Sequence, residues 1–159
     1  MTFQFHALPA DDFAPLFDLS DEELAAKNAC RMTVTTTPGF PCRVSLKDAA
    51  VGETVILTNH RHQPASSPYQ SSHAVYVAKG AQMADLKAGE VPEMMRSRLL
   101  SLRLFSANDM IVDGEVLEGD ELGDALLRAF ENEDVAYAHV HFAARGCFAG
   151  KAVRATQAA

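Results

Sequence analysis

Residues 54–77 read TVILTNHRHQPASSPYQSSHAVYV, and this stretch decides how the chain folds. Thr54 to Asn59 is β-branched and aliphatic, the strongest strand signal in the protein. Continued without a break in the pleat, it places Ile56, His60 and His62 on one face. Gln63 to Ser72 is polar and punctuated by Pro64 and Pro68, a loop whose one large side chain is Tyr69. A second strand resumes at His73 and runs to Val77. Two strands feeding a Pro/Ser-rich loop that carries histidines suggest a site as well as a sheet.

Working outward, Phe3 to Leu8 alternates and stops at Pro9, which reads as an edge strand. Ser20 and Glu23 form a capping box, with Leu19 and Leu24 as its hydrophobic staple, so a short helix is expected from Asp21 to about Asn28. Thr33 to Thr37 is a strand candidate ended by Pro38-Gly39, and Cys42 to Leu46 is another, turned by Asp48 to Gly52. Leu99–Phe105 and Met110–Leu117 read as a hairpin about Ala107-Asn108-Asp109. Leu122, Ala125, Leu126, Ala129 and Phe130 make a one-sided stripe on a helix that begins near Asp120 and ends near Asn132. Val135–Phe142 and Phe148–Val153 are strands joined through Ala144-Arg145-Gly146. The expectation is one α+β domain over residues 1–159, mostly antiparallel sheet with two short-to-medium helices. Residues 54–59, 73–77 and 135–142 should share a sheet, with Leu122, Leu126 and Phe130 packed on it.

Composition narrows the partners. A chain of 159 residues with a net charge of −7 and a pI near 5.3 is repelled by polyanions, which argues against nucleic acid and acidic membranes. Arg96, Arg98 and Arg103 form the one dense basic cluster and read as a solvated strand face. No apolar run of about 18 residues is present. The start, MTFQFHALPADDF, has neither the basic end nor the apolar core of a secretory signal. Cys30, Cys42 and Cys147 are odd in number and lack CxxC spacing, which fits a reducing compartment. The expected location is cytoplasmic.

Two His-x-His pairs, His60-His62 and His139-His141, lie in or beside strands. Alternate strand residues share a face, so two imidazoles of one pair can converge on one ion. Three histidines with one open position is the catalytic pattern for zinc. Against this, the pairs are far apart in sequence, no carboxylate stands at a familiar ligand spacing, and each pair can equally be unconnected. Cys42 follows a turn and precedes Arg43, so it is a candidate nucleophile with a histidine as base; the plainer alternative is a small buried hydrophobe. Cys147 faces the core with a two- or four-residue hairpin loop, and faces His139 and His141 with a three-residue loop ending in a glycine bulge. Cys30 looks structural. No phosphate loop, GxSxG elbow, HExxH or dinucleotide fingerprint occurs.

The segments PGFPCRVSL, GETVILTNHRHQPASSPY with SSHAVYV, and AHVHFAARGCFA resemble a family of small bacterial proteins, domain of unknown function 1203, over about Phe5 to Val153. The family carries no assigned activity. The resemblance singles out Pro41, Cys42, Arg43, His62, Gln63, Pro68, Tyr69, His73, His139, His141, Gly146 and Cys147, and does not single out His60. The resulting expectation is one pocket for a small anionic ligand, with catalytic candidates Cys42, His62 and His141. Ligand contacts are assigned to Arg43, Gln63, Tyr69, His73 and Arg145, and a transition metal such as zinc to His62, His139 and His141. A non-catalytic structural or interaction domain is the rival from another class.

Overall fold

Eight strands form within residues 1–156, the part of the chain that the computed structural model describes, and every ladder between them is antiparallel. The strands are β1 (Thr2–His6), β2 (Ala29–Thr33), β3 (Thr54–Gln63), β4 (Ser71–Ala78), β5 (Leu99–Phe105), β6 (Ile111–Glu118), β7 (Tyr137–Phe142) and β8 (Phe148–Ala155). They divide into a five-stranded sheet, ordered β1-β8-β7-β5-β6, and a three-stranded sheet, ordered β2-β3-β4. The class is α+β, as the sequence suggests. The expectation that 54–59, 73–77 and 135–142 share one sheet is corrected, because β3 and β4 belong to the smaller sheet and β7 to the larger.

The helices follow local chemistry. At α1 (Asp21–Ala26) the Ser20 hydroxyl accepts from the Glu23 amide at 3.2 Å, and the Glu23 carboxylate accepts from the Ser20 amide at 2.7 Å. A one-turn α2 (Glu93–Arg96) buries Met94 and Met95. A 3-10 turn at Gly119–Glu121, and not Asp120 as a cap, leads into α3 (Leu122–Ala129). Its Leu122, Ala125 and Leu126, with Phe130 just beyond, are buried against Leu100, Leu102, Leu104, Ala138 and Val140 of the five-stranded sheet. Gly119 is obligatory there: a Cβ would lie 1.8 Å from the Met95 carbonyl oxygen, so the α2 turn and the entry to α3 touch backbone to backbone.

Two strand boundaries move for tertiary reasons. The β-branched run Thr33–Thr37 is not a strand; the strand is Ala29–Thr33, which pairs with residues 54–58. Partner register outweighs β-propensity here. Cys42–Leu46 makes only isolated bridges, Cys42 to Tyr76 and Pro41 to Asp48, because Leu46 turns back at φ 56 to donate its amide to the Cys42 carbonyl. Against β3 and β4, Val44, Val55, Val75 and Val77 close a second core.

Leu126 is fully buried and its neighbour Leu127 is 41 % exposed. Leu126→Ala should therefore cost about 2–5 kcal/mol in urea unfolding and Leu127→Ala within about 0.5 kcal/mol. Equal costs would mean that α3 does not present this face to the sheet.

Candidate functional site

Strand alternation in β7 turns Ala138, Val140 and Phe142 to the core and leaves His139 and His141 on the opposite face of the five-stranded sheet. There His139 is flanked in register by Arg103 on β5 and Lys151 on β8, and His141 by Ser101 and Phe148. The third histidine comes from the smaller sheet. Between His60 and Gln63 the β3–β4 register shifts, so the pleat that would align His60 with His62 is broken. His60 rests on Phe13, at 5.6 Å between ring centres, whereas the His62 ring stacks flat on Phe148 at 5.0 Å and meets His141 edge-on at 5.0 Å.

One ligand atom from each of His62, His139 and His141 lies within 4.8 Å of the others, so a single point exists within about 2.8 Å of all three. His139 is 3 % and His141 1 % exposed. The Nδ1 atoms of His62 and His139 are buried without any hydrogen-bond partner. His141 Nδ1 lies 2.9 Å from the Gly146 carbonyl oxygen, which can only accept, so Nδ1 carries the proton and Nε2 presents a lone pair.

All three rings are held neutral. Burial, then the neighbouring His141 and His62, drives His139 down to about 3. Burial drives His141 to about 3 against the Gly146 bond, and burial with the His60 and Arg103 charges takes His62 to about 4. No carboxylate acts on any of them. A cavity of about 220 Å³ opens beside the cluster, lined also by Arg103 and Tyr69. Next to His62, Gln63 is tied down: its amide donates to the Tyr137 hydroxyl at 2.8 Å, which in turn donates to Asp109 at 2.6 Å. Burial and that Asp109 bond raise the Tyr137 phenol to about 12, so it stays protonated.

Other expected site residues go elsewhere. Cys42 is wholly buried among Val44, Val75 and Val77, with its sulfur accepting from the Ala78 amide at 3.3 Å. The nucleophilic role expected for it is corrected to the plainer alternative, a small hydrophobe in a closed core that no reactant reaches. Gln63 is 4 % exposed with its amide committed internally, so it supports the site and does not face a ligand. Arg43, His73, Arg145 and Cys147 line a different cavity, of about 580 Å³, so the one expected pocket is two. Cys147 lies on the Phe142 side and not beside His139. Sequence reading missed Arg103 as a site residue, along with Phe148 and Ser71. Arg103 becomes visible only once β5 and β7 are known to pair.

A family model described as a protein of unknown function, DUF1203, matches residues 39–154. The chain belongs to that family. The matched span holds all three clustered histidines and the lining of both cavities except Pro38, so the site is part of the DUF1203 region. No curated protein and no solved structure matches the chain.

Two outcomes test this geometry. Iodoacetamide should label exposed Cys30 in the native protein and leave Cys42 untouched until unfolding; Cys42→Ser should cost about 1–3 kcal/mol by changing a packed thiol for a poorly paired hydroxyl. The pH test rests on the depressed histidines. Their neutral forms stabilise the fold fully above the unfolded value of 6.5, and that stability is lost as pH falls toward about 4 and then 3, because the unfolded chain binds protons that the folded chain refuses. In chelator-treated protein the urea midpoint should fall from pH 7 to pH 5, and His139→Gln should flatten that slope. An unchanged slope would place His139 in water.

Proposed function

We propose that His62, His139 and His141 hold a transition-metal ion of the zinc class, and that this centre makes the protein a metal-dependent enzyme for a small anionic substrate. The observation that carries the reading is the pair of buried, partnerless Nδ1 atoms on His62 and His139 beside the free Nε2 of His141. A buried ring nitrogen without a partner costs roughly 1–3 kcal/mol, and two such nitrogens in a trio of histidines that each bring one ring nitrogen within 4.8 Å of the others have a common remedy in a cation. The ligand atoms need shift by less than about 1 Å from their common point to reach zinc–nitrogen distances of about 2.0–2.1 Å.

The donor set supports the metal class. Three neutral imidazoles without thiolate or carboxylate suit zinc, copper or nickel and suit magnesium or calcium poorly. An ion held by these three neutral rings would keep its full charge and would supply a water acidic enough to act as a nucleophile near neutral pH. Arg103 supplies the substrate preference. Its Nε donates to Ser101 at 3.3 Å, and its charge reaches all three histidines. A guanidinium beside a dication is favourable only when an anion lies between them. The 220 Å³ cavity limits that anion to a small molecule.

Untagged protein should carry close to one zinc-class ion per chain by elemental analysis, and His141→Ala should carry less than about a tenth of that. Stripping with chelator should lower the Tm and zinc should restore it, since a ligand that binds only the folded state stabilises it. Native protein with no bound transition metal, whose Tm is indifferent to zinc, cobalt and copper, would overturn the reading. Arg103→Gln should keep the metal while losing affinity for anionic inhibitors about tenfold or more.

A further inference from the structure

The second cavity has an electrostatic imbalance that the histidine cluster does not address. Arg43 is the largest side chain in the protein that is fully buried, 1 % exposed, and it sits in the wall of the 580 Å³ cavity. Its Nε donates to the Phe148 carbonyl at 2.8 Å and its Nη1 to the Pro41 carbonyl at 2.5 Å. Among the described residues no protein oxygen accepts from its Nη2, and no carboxylate lies within ion-pair reach. The adjacent Arg98 does have a carboxylate: Asp48 grips it with two oxygens at 2.6 and 2.9 Å. Both guanidiniums lie over the Phe142 ring, at 5.0 and 5.1 Å. Of the two neighbouring cations, half-buried Arg98 has the one carboxylate, and fully buried Arg43 has none.

Leaving a buried charge without a counter-charge costs several kcal/mol. Two carbonyls, a ring face and the neighbouring Cys147 thiol offset part of this, but none of them supplies the formal charge of a carboxylate. Burial lowers the Arg43 guanidinium to about 10, which still leaves it protonated at neutral pH. The rest of the wall is also short of negative charge. Arg145 stands exposed at the mouth, and the His73 Nδ1 accepts from the Ala74 amide at 2.9 Å, so its Nε2 carries the proton and is a donor. Leu57, Tyr76 and Phe142 supply flat apolar surface.

We propose that this cavity is a second binding site, separate from the histidine cluster, and that it takes a small organic carboxylate whose charged end meets Arg43 and whose apolar body lies against Tyr76 and Phe142. A carboxylate is favoured over a phosphate because the guanidinium has already committed two nitrogens to carbonyls, which leaves one edge for the ligand and matches one planar, singly charged group. The apolar lining would be wasted on inorganic phosphate. The site does not depend on metal at His62, His139 and His141.

The test is a thermal-shift titration of the full-length native protein at fixed ionic strength, with sodium benzoate, inorganic phosphate and uncharged benzamide as probes. At about ten times its dissociation constant benzoate should raise the Tm by roughly 3–5 °C, benzamide should not, and phosphate should do less than benzoate. The shift should be the same in chelator-treated and zinc-loaded protein. Ala144→Glu places a carboxylate on an exposed turn residue of the cavity wall, where folding is not at risk, and should weaken benzoate at least tenfold. Arg43→Met should abolish the benzoate shift where it folds. A phosphate shift larger than that of benzoate, a benzoate shift that needs zinc, or one that survives Ala144→Glu unchanged would each overturn the proposal, as would no shift at all.

Discussion

The two-residue period of β7 is the constraint on which the arrangement depends. β7 lies between β5 and β8 and is buried on both faces. Ala138, Val140 and Phe142 meet the α3 core on one side, and this fixes Tyr137, His139 and His141 on the other. A slip of one residue would put imidazoles into the apolar core and alanine and valine into the cavity. The hydrophobic core therefore sets the position of the histidines. Rigid placement comes from the sheet, and the chemistry costs the fold only three neutral rings.

His62 arrives by a different route. It stands at the far end of β3, beyond a register shift, in the smaller sheet. The His62 ring lies flat on Phe148, and Gln63 is tied through Tyr137 to Asp109. Those contacts are the local weld between the sheets. An irregularity in a strand that re-aims one side chain is a common device at functional sites, and here it separates His62 from His60, which settles on Phe13.

What the sequence shows and what it hides divide along the same physical line. Local signals were legible: the Ser20–Glu23 box, the Leu122–Leu126–Phe130 stripe and the hairpin of β5 and β6 all form where capping and periodicity place them. The trio His62, His139 and His141 was legible in part: alternation put His139 and His141 on one face, whereas preferring His62 to His60 rested on the family resemblance. Pairing between distant strands was not, so β3, β4 and β7 were assigned to one sheet. The same gap hid Arg103, which stands beside His139 only through the β5–β7 register. Cys42 misled for a related reason. Its sequence neighbours, a turn and an arginine, describe a reactive thiol, while its spatial neighbours are valines. Residues adjacent on a strand face opposite ways, and Arg43 joins the cavity that Cys42 does not enter.

Phe148 touches a residue of each site without lining either cavity. Its ring is the platform under His62, while its backbone carbonyl accepts the Arg43 Nε at 2.8 Å. One residue earlier, Cys147 faces the cationic cavity, and one before that the Gly146 carbonyl fixes the His141 tautomer, with Gly146 at φ 79 where a side chain would be strained. Three consecutive residues of one hairpin thus address both sites. The Phe148 backbone is held in the ladder with β7, so the carbonyl that meets Arg43 and the ring that carries His62 are fixed separately, which fits two sites that fill independently.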